Sequence, residues 1–208
     1  MAVLADFYRY IVADLPGCPL PAIDQALVDI GIDFCQRTGV WKAWSNALTS
    51  VADQSDYSIT IPTDAQVRQV ECVALGSKQI ASISDLLLTG NRPNWQDDDG
   101  VVTQATFDET SNVVRLVPTP TIGNETLRFL VSFIPTYNAT TLPDVLLQRY
   151  ARGFSAGVKA ELQIQKQVWA DPAAAQINLS IYHDAVAACV AQVTRQGMRM
   201  PLRAKAVF

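Results

Sequence analysis

LPDVLLQRYARGFSAGVKAELQIQKQVWADPAAAQINLSIYHDAVAACVAQVTRQGMRMPLRAKAVF, residues Leu142 to Phe208, is the stretch on which the reading of the fold turns. Leu142-Pro143-Asp144 opens it. Asp144 suits an N-cap, because its carboxylate can accept from the free N–H groups of a first helical turn. A helix is predicted from there to about Lys166. Trp169-Ala170-Asp171-Pro172 interrupts it. Asp171-Pro172 sets a capping acid before a proline at the first helical position, where a missing N–H costs nothing. A second helix is predicted to about Gln196, and a basic, apolar segment, Arg199 to Phe208, follows. The two helices read as an antiparallel hairpin.

This hairpin carries more apolar surface than one contact uses. Leu146, Tyr150, Phe154, Gly157, Val158, Leu162 and Gln165 follow helical spacing in the first arm. Gly153, Ser155, Ala156, Gly157 and Ala160 crowd its middle, where each glycine costs about 1 kcal/mol of helix propensity against alanine but admits a second backbone closely. In the second arm Ile177, Ile181, Ala185, Ala188 and Gln192 form one stripe. Leu179, Tyr182, Val186, Cys189, Val190 and Val193 form another. A helix on the surface of a monomer shows one apolar stripe. Two stripes mean deep burial within one domain or a second partner.

Outside this stretch the chain reads as one large α+β domain with an elaborated insert. The helical body is assigned to 1–44 and 138–208, and a β-rich insert of about six strands to 45–137. Leu4, Phe7, Tyr8 and Ile11 place a short helix over Ala2 to Val12, ended by Leu15-Pro16-Gly17-Cys18-Pro19. Ile23, Leu27, Ile30 and Phe34 set the buried face of a helix from Pro21 to Thr38, stopped by Gly39. Trp41 and Trp44 stand where helix gives way to strand. From Ser45 to Thr136 the period becomes 2. Leu48 to Val51 and Tyr57 to Ile61 read as a hairpin. Val67 to Leu75, Thr103 to Phe107, Val113 to Val117 and Leu127 to Ile134 complete the sheet, with a short helix over Ser82 to Leu88.

Charge and composition narrow the function classes. The chain has 208 residues and a net charge of −4. Residues 1–144 hold 8 Lys/Arg against 17 Asp/Glu, whereas residues 145–208 hold 8 against 3. Arg195, Arg199, Arg203 and Lys205 stand in the last fourteen residues without an acid. Such polarity suits a segment that meets an acidic surface. Its interleaved Met200, Leu202 and Phe208 fit a protein groove better than DNA. No apolar run is long enough for a membrane span, and no basic n-region suggests a signal peptide. Cys18, Cys35, Cys72 and Cys189 are scattered, as expected of reduced cytoplasmic thiols rather than a disulfide or zinc framework.

Catalytic constellations are sparse. The single histidine, His183, is followed by Asp184, and adjacent helical positions do not face each other. No His/Cys cluster suits a metal. Asp97-Asp98-Asp99-Gly100 lacks both key ligands of a calcium loop. Paired carboxylates, Asp97 to Asp99 or Asp108 with Glu109, are the residue types of a glycosidase, but adjacency in sequence gives no evidence of the required separation or of a raised pKa. The expectation is a protein that is not an enzyme, with no cofactor and no metal.

In order and spacing, the chain resembles the bacteriophage head-to-tail adaptor, or connector, proteins. The resemblance spans nearly all of it. It rests on an aromatic first helix, Leu15-Pro16-Gly17-Cys18-Pro19, and Phe34-Cys35-Gln36-Arg37-Thr38 before Trp41. Tyr57-Ser58-Ile59-Thr60-Ile61-Pro62, Pro118-Thr119-Pro120, Leu142-Pro143-Asp144 and Trp169-Ala170-Asp171-Pro172 follow. It implies a structural virion protein at the head–tail junction, made in the host cytoplasm. Identical subunits would form a ring, usually of twelve copies, beneath the portal protein. DNA would pass through the lumen without sequence-specific binding, past acids of residues 1–144. By the same resemblance Arg195, Arg199, Met200, Leu202, Arg203, Lys205 and Phe208 dock on the portal. Tyr150, Phe154, Gly157, Ile177, Ile181, Tyr182 and Val186 pack against neighbouring subunits, and loops of the insert meet a downstream tail or nozzle protein. No membrane is involved. A ring is built from heterologous contacts, so each copy needs two unlike patches. The rival readings are a tail-completion or nozzle protein lower in the tail, a virion-associated peptidoglycan hydrolase, and a generic cytoplasmic domain.

Overall fold

A computed structural model describes residues 1–197. The helices are α1 (Leu20–Thr38), α2 (Asp85–Asn91), α3 (Asp144–Arg149), α4 (Ala151–Ile164) and α5 (Pro172–Gly197), with 3-10 turns over Leu4–Tyr10, Val12–Asp14 and Trp95–Asp97. The strands in chain order are β1 (Ala2–Val3), β2 (Lys42–Trp44), β3 (Leu48–Thr49), β4 (Asp56–Ser58), β5 (Ala65–Leu75) and β6 (Lys78–Ser82). They continue with β7 (Asp99–Gly100), β8 (Gln104–Asp108), β9 (Val113–Val117), β10 (Thr119–Pro120), β11 (Thr126–Pro135) and β12 (Thr141–Leu142). The chain divides into two compact units. One holds Met1–Val40 and the segment from Thr140 onward; the other is Trp41–Ala139.

The α+β fold predicted above, a helical body with a long C-terminal hairpin and an insert of about six strands, is corrected on two counts. Strands outnumber helices among the described residues, and seven of them lie on one continuous path, β2-β11-β5-β6-β8-β9-β4, with β3 added beside β11. The C-terminal third holds a single long helix, α5, and not a hairpin of two long helices. The expected first arm is divided at Tyr150, whose backbone sits at φ −120°, ψ 9°. Tertiary contact accounts for the break. The Tyr150 ring packs 5.4 Å from that of Phe34, and its hydroxyl donates to Gln192 Oε1 at 2.9 Å. The second piece, α4, ends at Ile164, short of Lys166.

The helical unit is built around aromatic packing. Phe154 meets Phe7 at 5.2 Å and Phe34 at 6.2 Å, both edge-on. Ile11, Leu15, Ile23, Leu27, Leu142 and Leu146 are buried with them. Gly39 ends α1 in the left-handed region (φ 58°), and its N–H donates to the Cys35 carbonyl at 2.8 Å, as a glycine C-terminus allows. The predicted N-terminal helix is instead β1, paired with β12, followed by 3-10 turns. Asp144 is not an N-cap: Pro143 takes that position, and the Asp144 carboxylate meets the Met1 ammonium at 2.8 Å. Asp171 does cap α5, accepting from the Ala174 N–H at 3.0 Å.

The strand unit follows the alternation of its sequence. Leu127, Phe129, Val131 and Phe133 of β11 are buried, with Val70, Val73 and Leu75 of the antiparallel β5 in the same core. The predicted hairpin of Leu48–Val51 with Tyr57–Ile61 does not form. β3 pairs with β11 and β4 with β9. Alternation specifies that a segment is a strand and leaves its partner open. The partner of β4 is set by buried Tyr57 and by the Asp56–Arg115 ion pair. Trp41 packs on Phe133 at 5.7 Å, whereas Trp44 is exposed.

Candidate functional site

In the helical unit α4 and α5 approach closely because two glycines lack a side chain. A Cβ at Gly153 would lie 2.2 Å from the Cβ of Ala185, and one at Gly157 would lie 2.5 Å from the Tyr182 ring. With its ring held there, Tyr182 donates its hydroxyl to Asp33 Oδ2 of α1 at 2.6 Å. Arg37 reaches Asp33 Oδ1 at 3.0 Å. Burial, then the hydrogen bond to Asp33, pushes the Tyr182 phenol well above its usual range. Beside this pair lies an open cleft of about 340 Å³. Ile30, Gly157, Ala160, Ile164 and Leu179 supply its apolar lining; Asp29, Asp33, Glu161, Arg37 and His183 supply its polar groups.

A second cavity, about 310 Å³, lies in the strand unit. Asp56, Asp85 and Asp108 line it with Trp95, Thr106, Ser111 and Arg115. Arg115 donates to both Asp56 oxygens, at 2.6 and 2.8 Å, and this pairing holds Asp56 below the ordinary carboxylate range. Ser111, at 2.6 Å, and the Thr110 N–H, at 2.9 Å, do the same for Asp108. Thr106 donates to Asp85. A glycosidase needs one carboxyl held protonated by a raised pKa. Asp56 and Asp108 are shifted the other way, so their arrangement suits fixed negative charge and not proton donation. Among the described residues no group of three or more His, Cys, Asp or Glu is placed to hold a metal ion, and no helix is long and apolar enough to cross a membrane.

The predicted interface residues separate. Phe154, Gly157, Tyr182 and Val186 are buried inside the helical unit. They are core, because α1 and α4 cover the side of α5 that carries Tyr182, Val186 and Cys189. Tyr150 and Ile181 are half-buried, and Ile177 is 65% exposed. Of the predicted portal-docking residues, Arg195 is exposed on the last turn of α5. Arg199, Met200, Leu202, Arg203, Lys205 and Phe208 lie outside the described residues. His183 is exposed beside the Tyr182 ring, and Glu109 and Asp97 are exposed.

Two features have no local signature in the sequence. Asp56 and Arg115 are 59 positions apart, and Asp33 and Tyr182 are 149 apart. The only signal was indirect: the tyrosine sits in the apolar stripe of its helix. No protein-family model matches the chain, and no curated protein matches it.

Proposed function

We propose that this protein is a structural subunit of head-to-tail adaptor type. In this reading, identical copies form a ring beneath a phage portal, continue the DNA channel and attach the tail. The observation that carries the proposal is the apolar surface left uncovered on each of the two units. On the helical unit Val168 is 95% exposed, together with Ile164 and Ile177. On the strand unit Leu86 is 83% and Ile122 76% exposed, together with Leu87, Val101 and Tyr137. A ring joins unlike surfaces of identical chains, so each copy must offer one patch and receive another. Where such side chains adjoin, as Leu86 and Leu87 do in sequence on α2, they offer the kind of apolar surface that contacts of this sort cover. The excess of acids in residues 1–144 suits a wall that repels the DNA backbone, letting DNA slide without base recognition.

Electron microscopy of the protein mixed with its portal tests this. The expected image is a closed ring seated on the portal. A ring seated on isolated tails and never on the portal would favour a nozzle or tail-completion role. Particles without symmetry would remove the adaptor reading. A zymogram with purified protein tests the hydrolase alternative, and clearing of cell wall would establish it.

A further inference from the structure

The cleft in the helical unit has an unbalanced rim. Asp29, Asp33 and Glu161 face a single arginine, Arg37, and that arginine is bound to Asp33. The floor is apolar and open: Ile164 and Leu179 are both exposed there. A complementary occupant must be cationic with apolar side chains at short spacing. One such segment stands at the C-terminal end of the sequence. Arg199, Arg203 and Lys205 alternate with Met200, Leu202 and Phe208, with no acid among them. We infer that this cleft receives the segment Arg199–Phe208 of a second copy of the chain.

Geometry excludes the same copy for the front of the segment. His183 is the lining residue of α5 nearest its C-terminus. About 21 Å of helix separates it from Gly197, at 1.5 Å per residue. Arg199 can lie at most about 7 Å from Gly197, and Leu202 about 18 Å, even fully extended. Arg199 cannot enter the cleft of its own chain, and Leu202 cannot reach Leu179, about 27 Å of helix away from Gly197, whereas a neighbour can present both. Leucine and methionine would cover Ile164 and Leu179, and the arginines would meet Asp29 and Glu161. One such contact is weak in solution, because exposed ion pairs contribute little. Repeated round a closed ring, the same contact is reinforced by its neighbours through effective concentration.

The inference gives to a neighbouring copy the segment that the resemblance assigns to the portal; it needs only self-association, so it can fail while the ring-on-portal reading stands, and that reading can fail while it stands. Full-length chain carrying the photoreactive residue p-benzoylphenylalanine in place of Leu202 is mixed with isotope-labelled, otherwise unchanged chain, irradiated and mapped by mass spectrometry. The expected cross-links join position 202 of one copy to Glu161–Ile164 or Leu179–His183 of the labelled copy. Labelled chains bearing Leu179→Glu or Glu161→Lys, both surface changes, should lower that yield at least fivefold. Raised salt should lower it too, because it screens the rim. Cross-links confined to one copy, cross-links to other surfaces, no cross-links, or a yield indifferent to both substitutions would each overturn it.

Discussion

Gly157 and Tyr182 show how one residue sets the position of another. The ring of Tyr182 occupies the space a side chain at Gly157 would fill, so Gly157→Ala must move a buried ring. Overpacking of this kind costs about 1–3 kcal/mol; the urea midpoint of the variant should fall accordingly. Tyr182→Phe tests the bond to Asp33. A hydrogen bond to a charged group contributes about 1.5–3 kcal/mol, and the low end applies because Asp33 keeps Arg37 and is partly solvated. The same bond predicts a pH dependence. The folded phenol pKa is raised above its unfolded value. Its contribution is therefore complete below about pH 10 and is lost as pH rises further, because the unfolded chain releases its proton first. Denaturant titrations from neutral to alkaline pH should show a shallower decline for Tyr182→Phe than for the unaltered chain. Tyr8, pushed up to about 12 chiefly by its hydrogen bond to Asp24, contributes in the same direction in both proteins.

At the scale of elements, the helices are held by ends and faces. α5 starts at Pro172 with the Asp171 carboxylate on the Ala174 N–H. Removing a side-chain cap costs about 1 kcal/mol, so Asp171→Ala should lower the urea midpoint by a corresponding amount, with Asp171→Asn recovering most of the loss. Element type was legible along much of the chain. Ile23, Leu27 and Phe34 announce α1, Gly39 its end, and Asp171-Pro172 the start of α5. The alternation around Phe129 and Val131 announces β11. The break at Tyr150 was not legible, because nothing local distinguishes it. A ring contact with Phe34 and a hydroxyl contact with Gln192 decide it from outside the helix. The N-terminal 3-10 turns were missed for a related reason: their apolar spacing also fits an α-helix, and the pairing of β1 with β12 overrides it.

At the scale of the whole molecule, the adaptor proposal rests on surfaces that assembly would cover. The adaptor proposal predicts that the isolated protein is mainly monomeric and forms rings on the portal. Light scattering of the protein alone should give the mass of one chain at low concentration. A stable dimer, with or without portal, would contradict the prediction, since an isologous pair uses one patch and leaves none for a ring. Several residues of the candidate interface are buried within the helical unit. Both stripes of α5 are apolar in sequence, but Tyr182, Val186 and Cys189 are buried while Ile177, Leu179 and Val190 stay exposed. Phe154, Gly157, Tyr182 and Val186 are internal.

By itself the amino-acid sequence determined the type of α1 and its glycine end, the start of α5 at Asp171-Pro172 and the strand character of β11, because period, caps and glycines act within a few residues. It also determined the charge asymmetry, which is a property of composition. Only the tertiary structure decided which apolar stripe became core, which strands pair, and that Asp33 meets Tyr182 and Asp56 meets Arg115. These are contacts between residues 59 to 149 positions apart. Local pattern says that a side chain will be buried or bonded; the partner is selected by the packing of the whole unit.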